Sequence, residues 1–182
     1  MILKKRLCIL SMMFSAVFSN FAAASLGSKS KNWSDWKEVG NAQLSVLFFD
    51  VYRSQLLTPS GRYQQGEDIT PHPLALSINY QRDISQRQLI KATQEQWEKL
   101  GYLETAEWVA QLESIFPDIE RGHNLTYVTD GVVGRFFHSS DQGDKNQLIG
   151  VVNDPHLNDA FLAIWLSPDS DYPRLRRQLI GE

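Results

Sequence analysis

"WKEVGNAQLSVLFFDVYRSQLL", residues 36–57, decides how the chain is built. Gly40-Asn41 supplies the positive backbone angles of a tight hairpin, so the stretch reads as a short strand, a turn at Gly40-Asn41 and a long central strand. Side chains on a strand alternate between faces. Leu44, Val46, Phe48, Asp50 and Tyr52 then fall on one side, and Ser45, Leu47, Phe49, Val51 and Arg53 on the other. Both faces are apolar, which predicts a strand covered on both sides whose polar atoms sit at its end or find buried partners. Asp50 and Arg53 differ in parity and are expected on opposite faces. Asp50 is expected to be buried against donors, and Arg53 to be partly exposed near the strand end.

Downstream of this strand, Pro59-Ser60-Gly61 is a turn, and Pro71-His72-Pro73 keeps the backbone extended into "LALSINYQRD". There Leu74, Leu76, Ile78 and Tyr80 alternate with Ala75, Ser77, Asn79 and Gln81, a strand with one buried face. The period then changes. Ser85 with Gln88 forms a capping box, and Ile90, Thr93, Trp97 and Leu100 follow at helical spacing up to Gly101. A second helix carries Trp108, Val109, Leu112, Ile115 and Phe116 on one stripe and ends at Pro117. "LTYVTDGVVGRFF" reads as two strands joined by a two-residue Asp130-Gly131 turn, and Gln147 to Val152 adds a third. Asp154-Pro155 caps a helix that buries Leu157, Phe161, Ile164 and Trp165. Pro173 opens a last one with Leu175, Leu179 and Ile180 inward and Arg174, Arg176 and Arg177 outward. Strands and helices in segregated blocks predict an α+β fold, an antiparallel β-sheet with a helical layer packed on one face.

Upstream, Lys4, Lys5 and Arg6 precede the apolar run Leu7 to Phe18, and Ala22 to Ala24 give a small-residue cleavage signal before Ser25. This is the three-part pattern of a secretory signal peptide, so residues 1–24 are expected to be removed and the mature protein to be periplasmic. Residues 25–35 are expected to form a flexible lead-in and residues 36–182 the folded domain. The apolar run is short for a bilayer span, and no stable membrane anchor is expected after cleavage. Cys8 is the single cysteine and lies in the leader, so the mature chain forms no disulfide. Its 15 basic and 21 acidic residues give a formal charge of -6, which argues against a nucleic-acid partner.

Motifs for chemistry are scarce. His72, His123, His138 and His156 stand at no metal-ligand spacing. No nucleophile elbow or phosphate-binding glycine loop is present, and the mature chain has no thiol. What remains are Asp50, Tyr52, Arg53, Tyr80, Arg82 and Asp83 near aromatic strands. They read either as strand-end and corner ion pairs or as a site in which Arg53 or Arg82 meets an anionic head group at the mouth of an apolar pocket, because a guanidinium fork matches a carboxylate.

The order of V-G-N-A-Q-L-S-V-L-F-F-D-V-Y (39–52), L-x-I-x-Y-x-R-D-I (76–84), W-E-K-L-G (97–101), the three-strand meander, F-L-A-I-W-L-S-P (161–168) and L-R-R-Q-L-I-G (175–181) resembles the chalcone isomerase-like family in its exported bacterial branch. The resemblance runs from Trp36 to Gly181 and implies an open-faced sandwich with a ligand cleft between sheet and helices. The isomerases of that family use an Arg, two Thr or Ser, a Tyr and an Asn. Those positions fall here near Trp36 and Lys37, at Leu47 and Ile164, at Ile84 or Ser85, and at Lys91 or Ala92. None is retained, so the resemblance implies the fold and the cleft, not the reaction. Fatty-acid-binding relatives hold the carboxylate with an Arg and a Tyr that are also unmatched, although Lys37 stands close to the Arg position.

The sequence therefore predicts a non-catalytic domain that binds a small apolar or amphipathic, fatty-acid-like molecule without a cofactor or metal. Candidate ligand-binding residues are Lys37, Phe48, Tyr52, Arg53, Tyr80 and Arg82. The alternatives are an isomerase or lyase acting on a small phenolic or acyl compound, and a structural or partner-binding envelope protein.

Overall fold

The computed structural model describes residues 32–140 and 145–182. Six strands, β1 (Lys37–Val46), β2 (Phe49–Thr58), β3 (Leu74–Tyr80), β4 (Asn124–Thr129), β5 (Gly134–Ser139) and β6 (Gln147–Val152), lie in sequence order in one sheet. Every neighbouring pair is antiparallel. Helices α1 (Gln86–Lys99) and α2 (Ala106–Ile115) are inserted between β3 and β4, while α3 (Pro155–Leu166) and α4 (Pro173–Leu179) follow β6. The protein is an α+β fold, an open antiparallel sheet with four helices packed on it.

The helices start where their caps place them. The Ser85 hydroxyl accepts from the Gln88 amide while the Gln88 side chain accepts from the Ser85 amide, and the Asp154 carboxylate accepts from the His156 amide ahead of α3. Helix α3 is the centre of the helical layer, with Leu157, Ala160, Leu162 and Leu166 almost wholly buried. The Trp97 indole N–H ties α1 to it by donating to the Ala160 carbonyl at 2.9 Å. Phe161 reaches down to the sheet and meets Tyr127 and Phe136 at ring-centroid distances of 4.9 and 5.0 Å, edge-on geometries that favour aromatic pairs.

The first hairpin differs from its expected form. β1 runs through Gly40 without turning, and the chain reverses at Leu47 and Phe48. Gly40 serves close approach: a Cβ there would meet the Leu179 carbonyl oxygen at 2.8 Å and the Gln178 carbonyl oxygen closer still. The end of α4 packs against the bare strand backbone. The stretch is consequently not one strand covered on both faces; its middle is a projecting tip, with Val46, Leu47, Phe48 and Phe49 all exposed.

The register shifts within this hairpin as well. Leu44 opposes Tyr52 but Ser45 opposes Asp50, which leaves Val51 as an extra residue in β2, a β-bulge. The bulge breaks strict alternation. Val51 and Tyr52 both line the helix side of the sheet, and Asp50 and Arg53, expected on opposite faces, share the other side. There Ser45 Oγ donates to Asp50 Oδ1 at 2.7 Å, and Arg53 Nε donates to Gln43 Oε1 at 2.9 Å. Asp50 is exposed, so the expectation of a burial-driven requirement for its carboxylate fails.

Three smaller differences follow from local chemistry. The β4–β5 connection spans Asp130 to Val133 rather than two residues, because the Asp130 carboxylate accepts from the Val132 and Val133 amides at 3.0 and 2.9 Å and so closes a longer turn. Arg176, expected to face outward, is partly buried, and its Nε donates to the Leu166 carbonyl at 2.7 Å. Of the lead-in, Trp33–Asp35 form a short 3-10 turn, and the Trp33 ring lies 6.0 Å from that of Phe137. The expected leader at residues 1–24, and residues 25–31 of the lead-in, lie outside the described residues.

Candidate functional site

Between the sheet and the helical layer lies a cavity of about 260 Å³. Its floor is sheet: Tyr52, Ile78, Tyr80 and Leu125. Its roof is Phe161, Ile164 and Trp165 of α3, and α1 closes one side with Leu89, Thr93 and Gln96. Exposed residues Val46, Ala92 and Glu95 also belong to the wall and mark a mouth between the tip of the first hairpin and the outer flank of α1. Strand alternation explains the floor, since Ile78 and Tyr80 belong to the buried row of β3. The β2 bulge adds Val51 to the wall beside Tyr52.

Two phenols set the polarity of the interior. Trp165 Nε1 donates to the Tyr52 hydroxyl oxygen at 2.9 Å, and the Tyr80 ring stands edge-on to that of Tyr52, 6.0 Å away. Burial pushes both phenols well above their ordinary value; the indole hydrogen bond partly offsets this at Tyr52, and the neighbouring Tyr52 adds to it at Tyr80. Both therefore stay neutral donors. Every fully sealed side-chain nitrogen or oxygen among the described residues has a hydrogen-bond partner. The Tyr80 hydroxyl and the Gln96 carboxamide have none among those residues and so are not fully sealed, and both residues line the cavity although they are only 5% and 9% exposed.

Those unspent groups have a measurable consequence. Tyr80→Phe is expected to change stability by under about 0.5 kcal/mol, because the hydroxyl it removes has no hydrogen-bond partner among the described residues. Tyr52→Phe is expected to cost about 1 kcal/mol, because it leaves the Trp165 indole N–H without its acceptor. Urea denaturation of the two variants makes the comparison. Equal losses would mean that the Tyr80 hydroxyl is already partnered and that the cavity has no free donor there.

Of the six residues singled out in the sequence, the structure brings Tyr52 and Tyr80 to the cavity. Lys37 begins β1 opposite Thr58, Phe48 is at the hairpin tip, Arg53 is on the opposite face of the sheet, and Arg82 is exposed beyond β3. Among the described residues no lysine or arginine lines the cavity. The guanidinium expected at the mouth of the pocket is therefore not among the lining residues, and Tyr80 and Gln96 bring a neutral phenol and a carboxamide to the wall instead. Gln96 carried no sequence signal, since a lone Gln on a helix flank reads as solvated, and Trp165 read simply as core.

On the open face of the sheet, Asn41, Gln43, Arg53, Gln55, Ser77, Asn79 and Asn124 form a shallow polar groove. Its groups largely satisfy one another, with Ser77 and Thr126 hydroxyls 3.0 Å apart and Asn79 Nδ2 donating to Asn124 Oδ1 at 3.1 Å.

Two histidines remote from each other in sequence also meet. His138 Nε2 lies 3.2 Å from His123 Nδ1, while Glu120 stands 3.9 Å from His123 Nε2 and Lys145 shares a surface recess with His138. Burial, and then the nearby His123, lower the His138 imidazole below its ordinary value. A depressed histidine binds fewer protons folded than unfolded. Its contribution is present above the unfolded value of about 6.5 and is lost as pH falls below it. Between pH 7 and pH 5 the melting temperature should accordingly fall further for the natural protein than for His138→Gln. Parallel pH profiles would show that the pair is not coupled to folding.

No family model matches the chain. An uncharacterized protein of Haemophilus influenzae is similar, 28% identical over 172 residues, which cover 93% of this chain and 77% of the relative.

Proposed function

We propose that the protein is a binding domain for a small apolar or amphipathic molecule, held between the sheet and the helical layer. The observation that carries this reading is the cavity itself, about 260 Å³ with mainly apolar walls and unspent polar groups on Tyr80 and Gln96. A closed apolar cavity of about 150 Å³ already admits benzene, and pockets for larger ligands start at about 300 Å³. The size suits a medium-length acyl chain or a compound of one or two rings. The Tyr80 hydroxyl and Gln96 carboxamide suit a carbonyl, ester or hydroxyl group on that molecule, whereas an ionised carboxylate would have to remain at the mouth because burying it without a cation is costly.

The wall is suited to holding rather than transforming its occupant, because both phenols are kept neutral by burial and Glu95 stands at the exposed rim. Membership of the chalcone isomerase-like family and an exported, periplasmic setting belong to the same proposal. They are supported by the motif order from Trp36 to Gly181, by the sheet-and-helix sandwich with a cavity in its middle, and by the leader-like pattern of residues 1–24.

The test is to plug the mouth. Ala92→Trp adds a large ring at an exposed position of the wall, where strain on the fold is least. Displacement of a fluorescent medium-chain fatty-acid ester should be at least about tenfold weaker in this variant, since the added ring takes space the ligand needs. Its melting temperature should be unchanged. Equal affinities in the two proteins would place the probe elsewhere and defeat the reading.

A further inference from the structure

The first hairpin ends in four consecutive large apolar side chains, with Val46 52%, Leu47 85%, Phe48 97% and Phe49 67% exposed. Leu47 sits there at φ 58°, in the left-handed region where Gly or Asn would be at ease. A bulky apolar residue kept in a strained turn, at full exposure, calls for a role. The tip is also continuous with the cavity, since Val46 of the tip and Val51 just behind it both belong to the cavity wall.

We propose that this tip, Val46 to Phe49, is a shallow membrane-insertion element through which the cavity takes up its apolar ligand from a lipid bilayer. The inference rests on the binding role proposed above and supplies the source of the ligand. Three observations favour lipid over protein as the occupant. At about 150–250 Å² for a large aromatic residue, these four partly exposed side chains offer roughly 600 Å², short of the about 800 Å² that each partner buries in a stable complex. They are consecutive around a reversal of the chain rather than alternate along one strand face, so they form a convex knob, which a fluid accommodates better than a fixed surface. Immediately behind them the hydrogen-bonded pair Ser45 and Asp50, then Gln43 and Arg53, are polar, which limits insertion to the interfacial layer. An acid and a base flank the tip, so attraction to anionic lipid is not the driving force, and zwitterionic vesicles should suffice at any moderate salt concentration.

The experiment reads the tip directly in the full chain. In a Cys8→Ser background, an environment-sensitive fluorophore is attached through Phe48→Cys and, as a control, through Leu103→Cys, a residue 84% exposed beyond the far end of α1. On adding phosphatidylcholine vesicles, emission from position 48 should rise severalfold and shift to the blue, with little dependence on salt, while position 103 stays unchanged. Leu47→Ser/Phe48→Ser/Phe49→Ser should slow loading of a fluorescent fatty-acid ester from vesicles at least tenfold and leave its binding from solution unchanged.

A position-48 label that stays aqueous with vesicles overturns the proposal. So does one whose emission shifts on concentrating the protein without lipid, because the tip would then be a contact between copies of this chain. Ala92→Trp separates the two readings: a tip that inserts in a protein that binds the probe equally well with and without this substitution would mean that the cavity assignment fails while the insertion element stands.

Discussion

Gly134→Ala is expected to lower stability by about 3 to 5 kcal/mol, through overpacking and a lost buried hydrogen bond. Gly134 opens β5 and is buried, and a Cβ there would overlap the phenol of Tyr127, falling 2.7 Å from Cε2 and closer to Cζ and the hydroxyl oxygen. The ring has nowhere to go. Tyr127 is 2% exposed and packs against Phe136 with centroids 4.5 Å apart, and its hydroxyl is committed to Asn158 Oδ1 at 2.9 Å. Either the aromatic cluster shifts or that bond breaks. A urea titration would show the loss as a lower midpoint at an unchanged slope. A change under about 1 kcal/mol, the level of an ordinary surface substitution or a little above it, would mean that β5 can slide away from Tyr127 and that the core is looser than described.

The second large effect lies at the other end of the same hydrogen bond. Asn158 is wholly buried on α3. It accepts from the Tyr127 hydroxyl and donates through Nδ2 to Thr70 Oγ1 at 3.3 Å, while Thr70 Oγ1 donates to Asp159 Oδ1 at 2.5 Å. This chain of bonds joins β4, α3 and the loop before β3. Burial raises the Asp159 carboxyl above its ordinary value, Asp68 adds to the rise, and the bonds from Thr70 and Asn158 hold it back. Asn158→Leu keeps the branched shape and the number of heavy atoms and removes the hub, leaving the Tyr127 hydroxyl without an acceptor. The expected cost is about 2 to 4 kcal/mol. Adding Tyr127→Phe should recover part of it, since the orphaned hydroxyl goes too. Strictly additive losses in the double variant would show that the two groups are not energetically linked.

How far these features were legible in the sequence depends on how local their cause is. The Ser85–Gln88 capping box and the Asp154-Pro155 helix start were legible because every atom involved lies within four residues. The buried row of β3 was legible because Leu74, Leu76, Ile78 and Tyr80 recur at every second position in a strand without a bulge, although Ala75 of the opposite row is wholly buried as well, so burial is not confined to one face. The first hairpin departs from its sequence pattern for two physical reasons. Glycine permits both a turn and a close backbone contact, and only the position of α4 shows that Gly40 serves the second. A bulge at Val51 reverses parity, and nothing in the residue types announces it.

The candidate site follows the same division. Tyr52 and Tyr80 were found because they belong to regular or aromatic strand rows. Arg53 and Arg82 fit by chemistry alone: plain alternation after Tyr52 turns Arg53 to the other face of the sheet, and Arg82 lies beyond the end of β3. The link from Tyr127 through Asn158 to Thr70 joins residues up to 88 positions apart, and no spacing rule reaches that far. The exposed tip was legible as apolar and read as covered, because an apolar strand is normally buried.

Whether the cavity holds a ligand is read by native mass spectrometry of the protein purified without detergent from its own host, beside the same preparation of Ala92→Trp. Part of the natural protein should carry one equivalent of a small apolar molecule, released on unfolding and identifiable in the organic extract, and the variant should carry none. Bare chain only in both preparations, or the same adduct in both, would contradict this.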